Sequence, residues 1–220
     1  MKRVLVLVEG QTEETFVRDV LAPHLLDRNV ALIPKILVTK RVKSGGHFKG
    51  GVTSYDKVKG DVQRLLADTH AERVTTMLDY YGLPEDFPGL ADRPRSNCYQ
   101  RVEHVERAFH ADIAHPRFLP YLALHEFEAL LFTAPARCSL AFGDSPELAV
   151  NTLEAIRVLF NSPEEINEGR TTAPSKRILQ AFPGYQKTLH GPLAARELGL
   201  TSMRAACPHF NQWVSALEAL

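Results

Sequence analysis

Val4-Leu5-Val6-Leu7-Val8-Glu9-Gly10-Gln11-Thr12-Glu13-Glu14-Thr15-Phe16 reads as a strand that runs through a tight turn into a helix. Consecutive valines and leucines without polar alternation suit a strand buried on both faces of a parallel sheet. Glu9-Gly10-Gln11 breaks the run. Thr12 is placed to cap a helix whose first turn carries Glu13 and Glu14, favourable at the positive end of the helix dipole. Phe16, Val17, Val20, Leu21 and Leu25 then recur at helical spacing and give that helix one apolar face.

The same alternation continues outward. Ala31 to Val38 predicts a second strand, and Pro34 within it points to a sheet edge. A loop from Lys40 to Ser54 holds Gly45, Gly46, Gly50 and Gly51, and a helix is predicted from Tyr55 to Asp68. A third strand, Val74 to Leu78, ends at Asp79. A helix from about Asn97 to Phe109, a fourth strand from Phe118 to Leu124 and a short helix from Glu126 to Phe132 come next. From about Pro135 the pattern changes to short helices punctuated by proline and glycine, strongest over Pro146 to Phe160, Pro174 to Phe182 and His209 to Leu220. The expected fold is α/β, with about four strands alternating with helices. Residues 1–133 form the core, and a helical extension, 134–220, packs on it as part of a single structural unit.

Composition narrows the function classes. The 220 residues hold 26 Lys+Arg against 26 Asp+Glu, a formal net charge of zero, so nucleic-acid affinity must come from a local patch. A hydrophobic share of 45% excludes disorder as the main state. Cys98, Cys138 and Cys207 show no C-x-x-C spacing, which argues against a zinc ribbon, a redox dithiol or a disulfide scaffold. The short apolar run after Met1-Lys2-Arg3 is no signal-peptide core, and no stretch is long enough to span a membrane, so a cytoplasmic protein without membrane association is expected.

Ligands of open parallel sheets bind beyond the carboxyl ends of the strands. There the first strand delivers Glu9, with Glu13 one helical turn on; the third delivers Asp79; the fourth delivers His125-Glu126-Phe127-Glu128. Carboxylates brought together repel unless protons or cations neutralise them. Hard divalent ions such as Mg²⁺ or Mn²⁺ are the usual partners, and a pair of them about 3.5–4 Å apart supports in-line attack on a phosphodiester. The plainer alternative is that Glu13 and Glu14 cap one helix while Glu126 and Glu128 begin another. Clustering at one edge favours the site.

A basic segment accompanies the acids. Lys35, Lys40, Arg41, Lys43, Lys49, Lys57 and Lys59 stand against Asp56 alone, a net +6 between residues 35 and 60. Of these, Lys40, Arg41, Lys43 and Lys49 in the glycine-rich loop suit contact with a nucleic-acid backbone, or else form a solvated face. No G-x-x-x-x-G-K-[ST] pattern is present, which argues against ATP hydrolysis. In Thr171-Thr172-Ala173-Pro174-Ser175-Lys176-Arg177, Pro174 and Ser175 begin a helix, leaving Lys176 and Arg177 at its electrostatically unfavourable end. A bound phosphate would resolve that conflict, as would pairing with Glu164, Glu165 or Glu168.

Val8-Glu9-Gly10 with Glu13 shortly after, and a later strand ending in Asp79, resemble the TOPRIM domain of primases, topoisomerases and OLD-type nucleases. Four segments in order are more closely similar to the domain-of-unknown-function family 4276. They are Val8-Glu9-Gly10-Gln11-Thr12-Glu13, Leu78-Asp79-Tyr80-Tyr81-Gly82, Leu124 to Phe132, and Ala173-Pro174-Ser175-Lys176-Arg177. The resemblance implies a TOPRIM-like (Rossmann-like) α/β fold with a mostly parallel sheet flanked by helices, and Mg²⁺-dependent phosphodiester chemistry with Glu9 and Asp79 as ligands. A second TOPRIM aspartate would fall at Tyr81 and is not there, which leaves one metal or two open, with Glu126 or Glu128 as the substitute ligand. It also implies a partner resembling an SMC- or ABC-like ATPase in bacterial phage defence.

The resulting expectation is a nuclease. Glu9, Asp79, Glu126 and Glu128 hold metal, and Glu13 is a ligand or general base. Lys176 stabilises phosphate charge, Arg177 holds substrate, and His125 is a further acid/base candidate. DNA against RNA and a homodimer stay open. The alternatives are a non-catalytic subunit of an ATPase complex and a phosphoesterase of small molecules.

Overall fold

The computed structural model describes residues 1–37, 52, 54–142, 146–166, 169 and 171–220. The basic-loop residues Lys40, Arg41, Lys43 and Lys49, and Glu168, lie outside the described residues.

Among the described residues five short parallel strands form one sheet: β1 (Lys2–Val8), β2 (Val30–Ile36), β3 (Arg73–Asp79), β4 (Phe118–Leu119) and β5 (Leu122–Ala123). Their order is β2-β1-β3-β4, with β5 also on β3. Pro34 does sit in an edge strand. The expected fourth strand is split in two because Pro120 has no N–H to give the ladder. The Thr76 hydroxyl spans the gap, donating to the Tyr121 carbonyl at 2.8 Å and accepting from the Tyr121 N–H at 3.0 Å.

Side chains of β1 alternate between two apolar layers. Leu5 and Leu7 pack beneath α3 (Tyr55–Leu66) and α4 (Cys98–Ile113), with Val58, Val62, Val105 and Phe109. Val4, Val6 and Val8 face α1 (Gln11–Phe16), α2 (Ala22–Leu26) and the C-terminal helices. Those helices are α5 (Pro146–Arg157), α6 (Pro174–Ala181), α7 (Lys187–Leu198), α8 (Leu200–Ala206) and α9 (Pro208–Glu218). Among the described residues, Ile178, Ala194, Leu198, Met203, Phe210 and Trp213 of these helices thus share one apolar cluster with β1.

Three local features depart from the sequence reading. Gly10, not Thr12, is the N-cap of α1, and Thr12 is buried one residue into the helix. Between α1 and α2 the chain widens into a π turn, Val17–Leu21, in which the Ala22 N–H reaches the Val17 carbonyl. Pro23, which cannot bond Asp19 four residues back, explains the extra width. The helix expected at Glu126 to Phe132 is a 3₁₀ helix, Phe127–Thr133.

The last helix is locked to the sheet. Trp213 donates to Thr75 Oγ1 at 2.9 Å and stacks on Tyr121 with ring centroids 4.2 Å apart. The buried Glu164 carboxylate caps α9, accepting the His209 N–H at 3.0 Å and the Phe210 N–H at 2.8 Å. A carboxylate at a helix N-terminus meets the positive end of the dipole. Cys207 is fully buried just before it, and burial pushes its thiol up.

Candidate metal centre

With the order β2-β1-β3-β4, the chain leaves β1 toward one edge and β3 lies on the other side of β1. The switch point of the sheet thus falls between the carboxyl ends of β1 and β3, where Glu9 and Asp79 stand. The Asp79 N–H points to Glu9 Oε2 at 3.4 Å, so the two strand ends are in direct contact.

Glu13 joins them through the turn. Its Oε2 accepts the Gly10 N–H at 3.0 Å, the return half of a capping box, while its other oxygen faces the centre. Helix cap and site residue are therefore one group here, not alternatives.

Glu126 and Glu128 arrive by a strained turn. His125 has φ of 63°, and the Glu126 N–H bonds back to the Leu124 carbonyl at 2.9 Å, closing a γ-turn of the left-handed kind that non-glycine residues rarely adopt. The His125 carbonyl accepts the Tyr81 N–H at 2.9 Å, tying this turn to the one after Asp79. The Phe127 N–H then donates to Asp79 Oδ1 at 2.9 Å. His125, buried itself, positions the acids through its backbone.

The outcome is a buried group of acids. Glu13 is 3% exposed, Asp79 7%, Glu126 7% and Glu128 fully buried. Ligand oxygens of Asp79, Glu126 and Glu128 all lie within 4.8 Å of one another. Burial, with the neighbouring charges of Asp79 and Glu13, pushes the Glu9 carboxyl up to about 8. Burial likewise takes Glu128 to about 8, with Asp79, Glu126 and Glu13 adding to it against the pull of Lys187. Glu13 and Glu126 are raised for the same first reason, burial.

Among the described residues one cation answers them, and sequence reasoning missed it. Lys187 Nζ lies 3.1 Å from Glu128 Oε2, 3.5 Å from Asp79 Oδ2 and 3.9 Å from Glu13 Oε1. Burial opposes its charge, but Asp79, Glu128, Glu13 and Glu126 outweigh that and hold the ammonium well above the usual lysine range. It sits at the first position of α7, which seats against α1 at Gly191. A Cβ there would come within 3.2 Å of Thr12 and of the Tyr185 hydroxyl, so any larger residue would push these neighbours back by a few tenths of an ångström. Tyr185, also unanticipated, donates to Glu128 Oε1 at 3.4 Å.

The Ala173-Pro174-Ser175-Lys176-Arg177 segment meets the centre through Ser175. Its hydroxyl donates to Glu126 Oε1 at 3.1 Å, and its N–H lies at 3.4 Å from the same oxygen. Lys176 is exposed, outside the ion pairs of the acidic group. Arg177 turns away, donating to the Thr172 carbonyl at 2.6 Å and lying over the Phe160 ring. Of the three expected partners, Glu164 caps α9 and Glu165 accepts the Asn161 N–H, while Glu168 lies outside the described residues.

Buried, all-oxygen donors that are mutually repelling and only partly neutralised fit a hard divalent cation, and Asp79, Glu126 and Glu128 are the residues that could hold one. Fold and site together define an α/β protein with a carboxylate centre at the switch point of a parallel sheet. The sequence profile described as "Domain of unknown function (DUF4276)" matches residues 8–218, and the chain belongs to that family. No curated protein and no solved structure matches it. Among the described residues no helix is long and apolar enough to cross a membrane.

Proposed function

We propose that this chain is a metal-dependent phosphodiesterase, acting as a nuclease on DNA or RNA, with Mg²⁺ or Mn²⁺ held by Asp79, Glu126 and Glu128. The observation that carries this reading is the convergence of those three buried carboxylates within 4.8 Å at the switch point. A bound divalent ion would supply a Lewis acid for a phosphate oxygen and an activated water. Glu9, at the rim of the centre, is placed to accept a proton from an attacking water. Lys187 holds Glu128 and Asp79 in place and offers an ammonium to phosphate charge. Ser175 orients Glu126.

Acids at the ends of β1 and β3 support a TOPRIM-like reading of the sheet, and the basic segment between residues 35 and 60 supports a polymeric substrate over a small phosphate ester. A cytoplasmic setting, a partner ATPase and a role in phage defence belong to the same proposal.

The test is cleavage of single-stranded DNA, duplex DNA, RNA and a simple phosphodiester in Mg²⁺, Mn²⁺ or EDTA. Activity should vanish in EDTA and fall at least about 100-fold in Asp79→Asn and Glu128→Gln. Cleavage indifferent to EDTA or to Asp79→Asn would overturn it. Nucleic acid bound but never cut, with the partner ATPase present, would favour the non-catalytic subunit.

A further inference from the structure

Two groupings of acids share the same pair of carboxylates. Asp79 and Glu128 belong to the trio with Glu126, whose oxygens converge within 4.8 Å. They also belong, with Glu13, to the trio around Lys187 Nζ, at 3.5, 3.1 and 3.9 Å. Asp79 and Glu128 thus face both the trio that could hold an ion and an ammonium, as the shared carboxylates of a dinuclear centre face two ions about 3.5–4 Å apart. An ammonium is a fixed single charge that cannot be lost to chelators, and it repels a second divalent ion from the same pocket.

Resting on the metal-dependent reading of the centre, we propose that Lys187 occupies the second cation position, so that the centre takes one divalent ion per chain. Lys187 stands in for the other ion. It neutralises Glu13, Asp79 and Glu128 and keeps Asp79 and Glu128 at the spacing the first ion needs. Its side chain, at the first position of α7, is 40% exposed while it contacts the acids, so an anion in solvent can reach it. The same ammonium is thereby placed to touch phosphate.

The experiment is Mn²⁺ titration by calorimetry and by electron paramagnetic resonance of the full chain, wild type, Lys187→Met and Lys187→Arg, with circular dichroism to confirm folding. Wild type and Lys187→Arg should bind one Mn²⁺ with the six-line spectrum of an isolated ion. Lys187→Met should bind two, with a spin-coupled spectrum. Two coupled ions in the wild type would overturn the assignment of Lys187 while upholding the metal centre. One ion in a folded Lys187→Met would do the same. No Mn²⁺ bound by any folded form would overturn both readings together. Should Lys187→Met fail to fold, the wild-type count decides alone.

Discussion

Lys187 Nζ stands 3.1 Å from Oε2 of Glu128, a carboxylate with no exposed surface. The pair joins the two halves of the chain: the sheet and its turns deliver the acid, and a C-terminal helix delivers the cation. A buried acid with a cationic neighbour among several anionic ones is held in balance by that neighbour and by whatever further cation or proton enters.

That balance gives the metal-free protein a pH signature. Glu9 and Glu128 titrate near 8 in the folded chain, against 4.5 for a glutamate in water, so the folded state binds more protons between those limits. Stability in EDTA should therefore fall as pH rises from about 5 to about 8. Glu9→Gln should flatten the slope and gain about 1 kcal/mol at pH 8, roughly 2–4 °C for a domain of this size. Saturating Mg²⁺ should remove the slope in the wild type. Thermal melts between pH 5 and 9 check this; stability that rises across the window would contradict it.

Ser175 acts on the centre through Glu126. Ser175→Ala removes the 3.1 Å hydroxyl contact and leaves the fold, since the Pro174 start of α6 is untouched. Outer-shell partners of metal ligands are worth about 10–100-fold in affinity. A loss of about 10-fold in Mn²⁺ affinity, with an unchanged melting temperature without metal, is the expected result from calorimetry.

The two lysines should part company. Lys187→Ala removes the ammonium beside three acids and should cost at least about 100-fold in phosphodiester hydrolysis. Lys176→Ala removes an exposed side chain outside those ion pairs and should cost less than about 10-fold. Steady-state rates of the two variants side by side decide it, with equal losses counting against the placement.

Trp213, the only tryptophan, reports on the contact between α9 and the sheet. If residues 134–220 share one core with β1, its fluorescence and far-ultraviolet circular dichroism should change together in urea. Trp213→Ala should destabilise by about 3–5 kcal/mol. An early fluorescence transition would mean that the extension unfolds separately.

Much of this centre was legible in the sequence because buried parallel strands end abruptly. Val8 gives way to Glu9 and Leu78 to Asp79, and neighbouring parallel strands necessarily deliver their next residues to one shared edge. The acids of Glu126 and Glu128 were legible for the same reason. Pro120 marks the split of the fourth strand, but the repair by Thr76 was not legible because it depends on a partner 45 residues away. Lys187 was the larger omission. Gly191 and Pro192 in the interior of α7 read as helix breakers, and the close seat of Gly191 against Thr12, Tyr185 and Phe127 is a packing between segments far apart in the chain. With α7 unrecognised, Lys187 was one cation among 26, and the lysine beside a recognisable motif, Lys176, drew attention instead.

The most direct measurement is anomalous diffraction from crystals of the chain grown with Mn²⁺. A metal centre completed by Lys187 predicts a single peak bounded by Asp79, Glu126 and Glu128, with oxygen ligands at about 2.0–2.3 Å, and Lys187 still beside Glu13. Crystals soaked in ample Mn²⁺ that show no peak, with the three carboxylates closed on Lys187 alone, would contradict it.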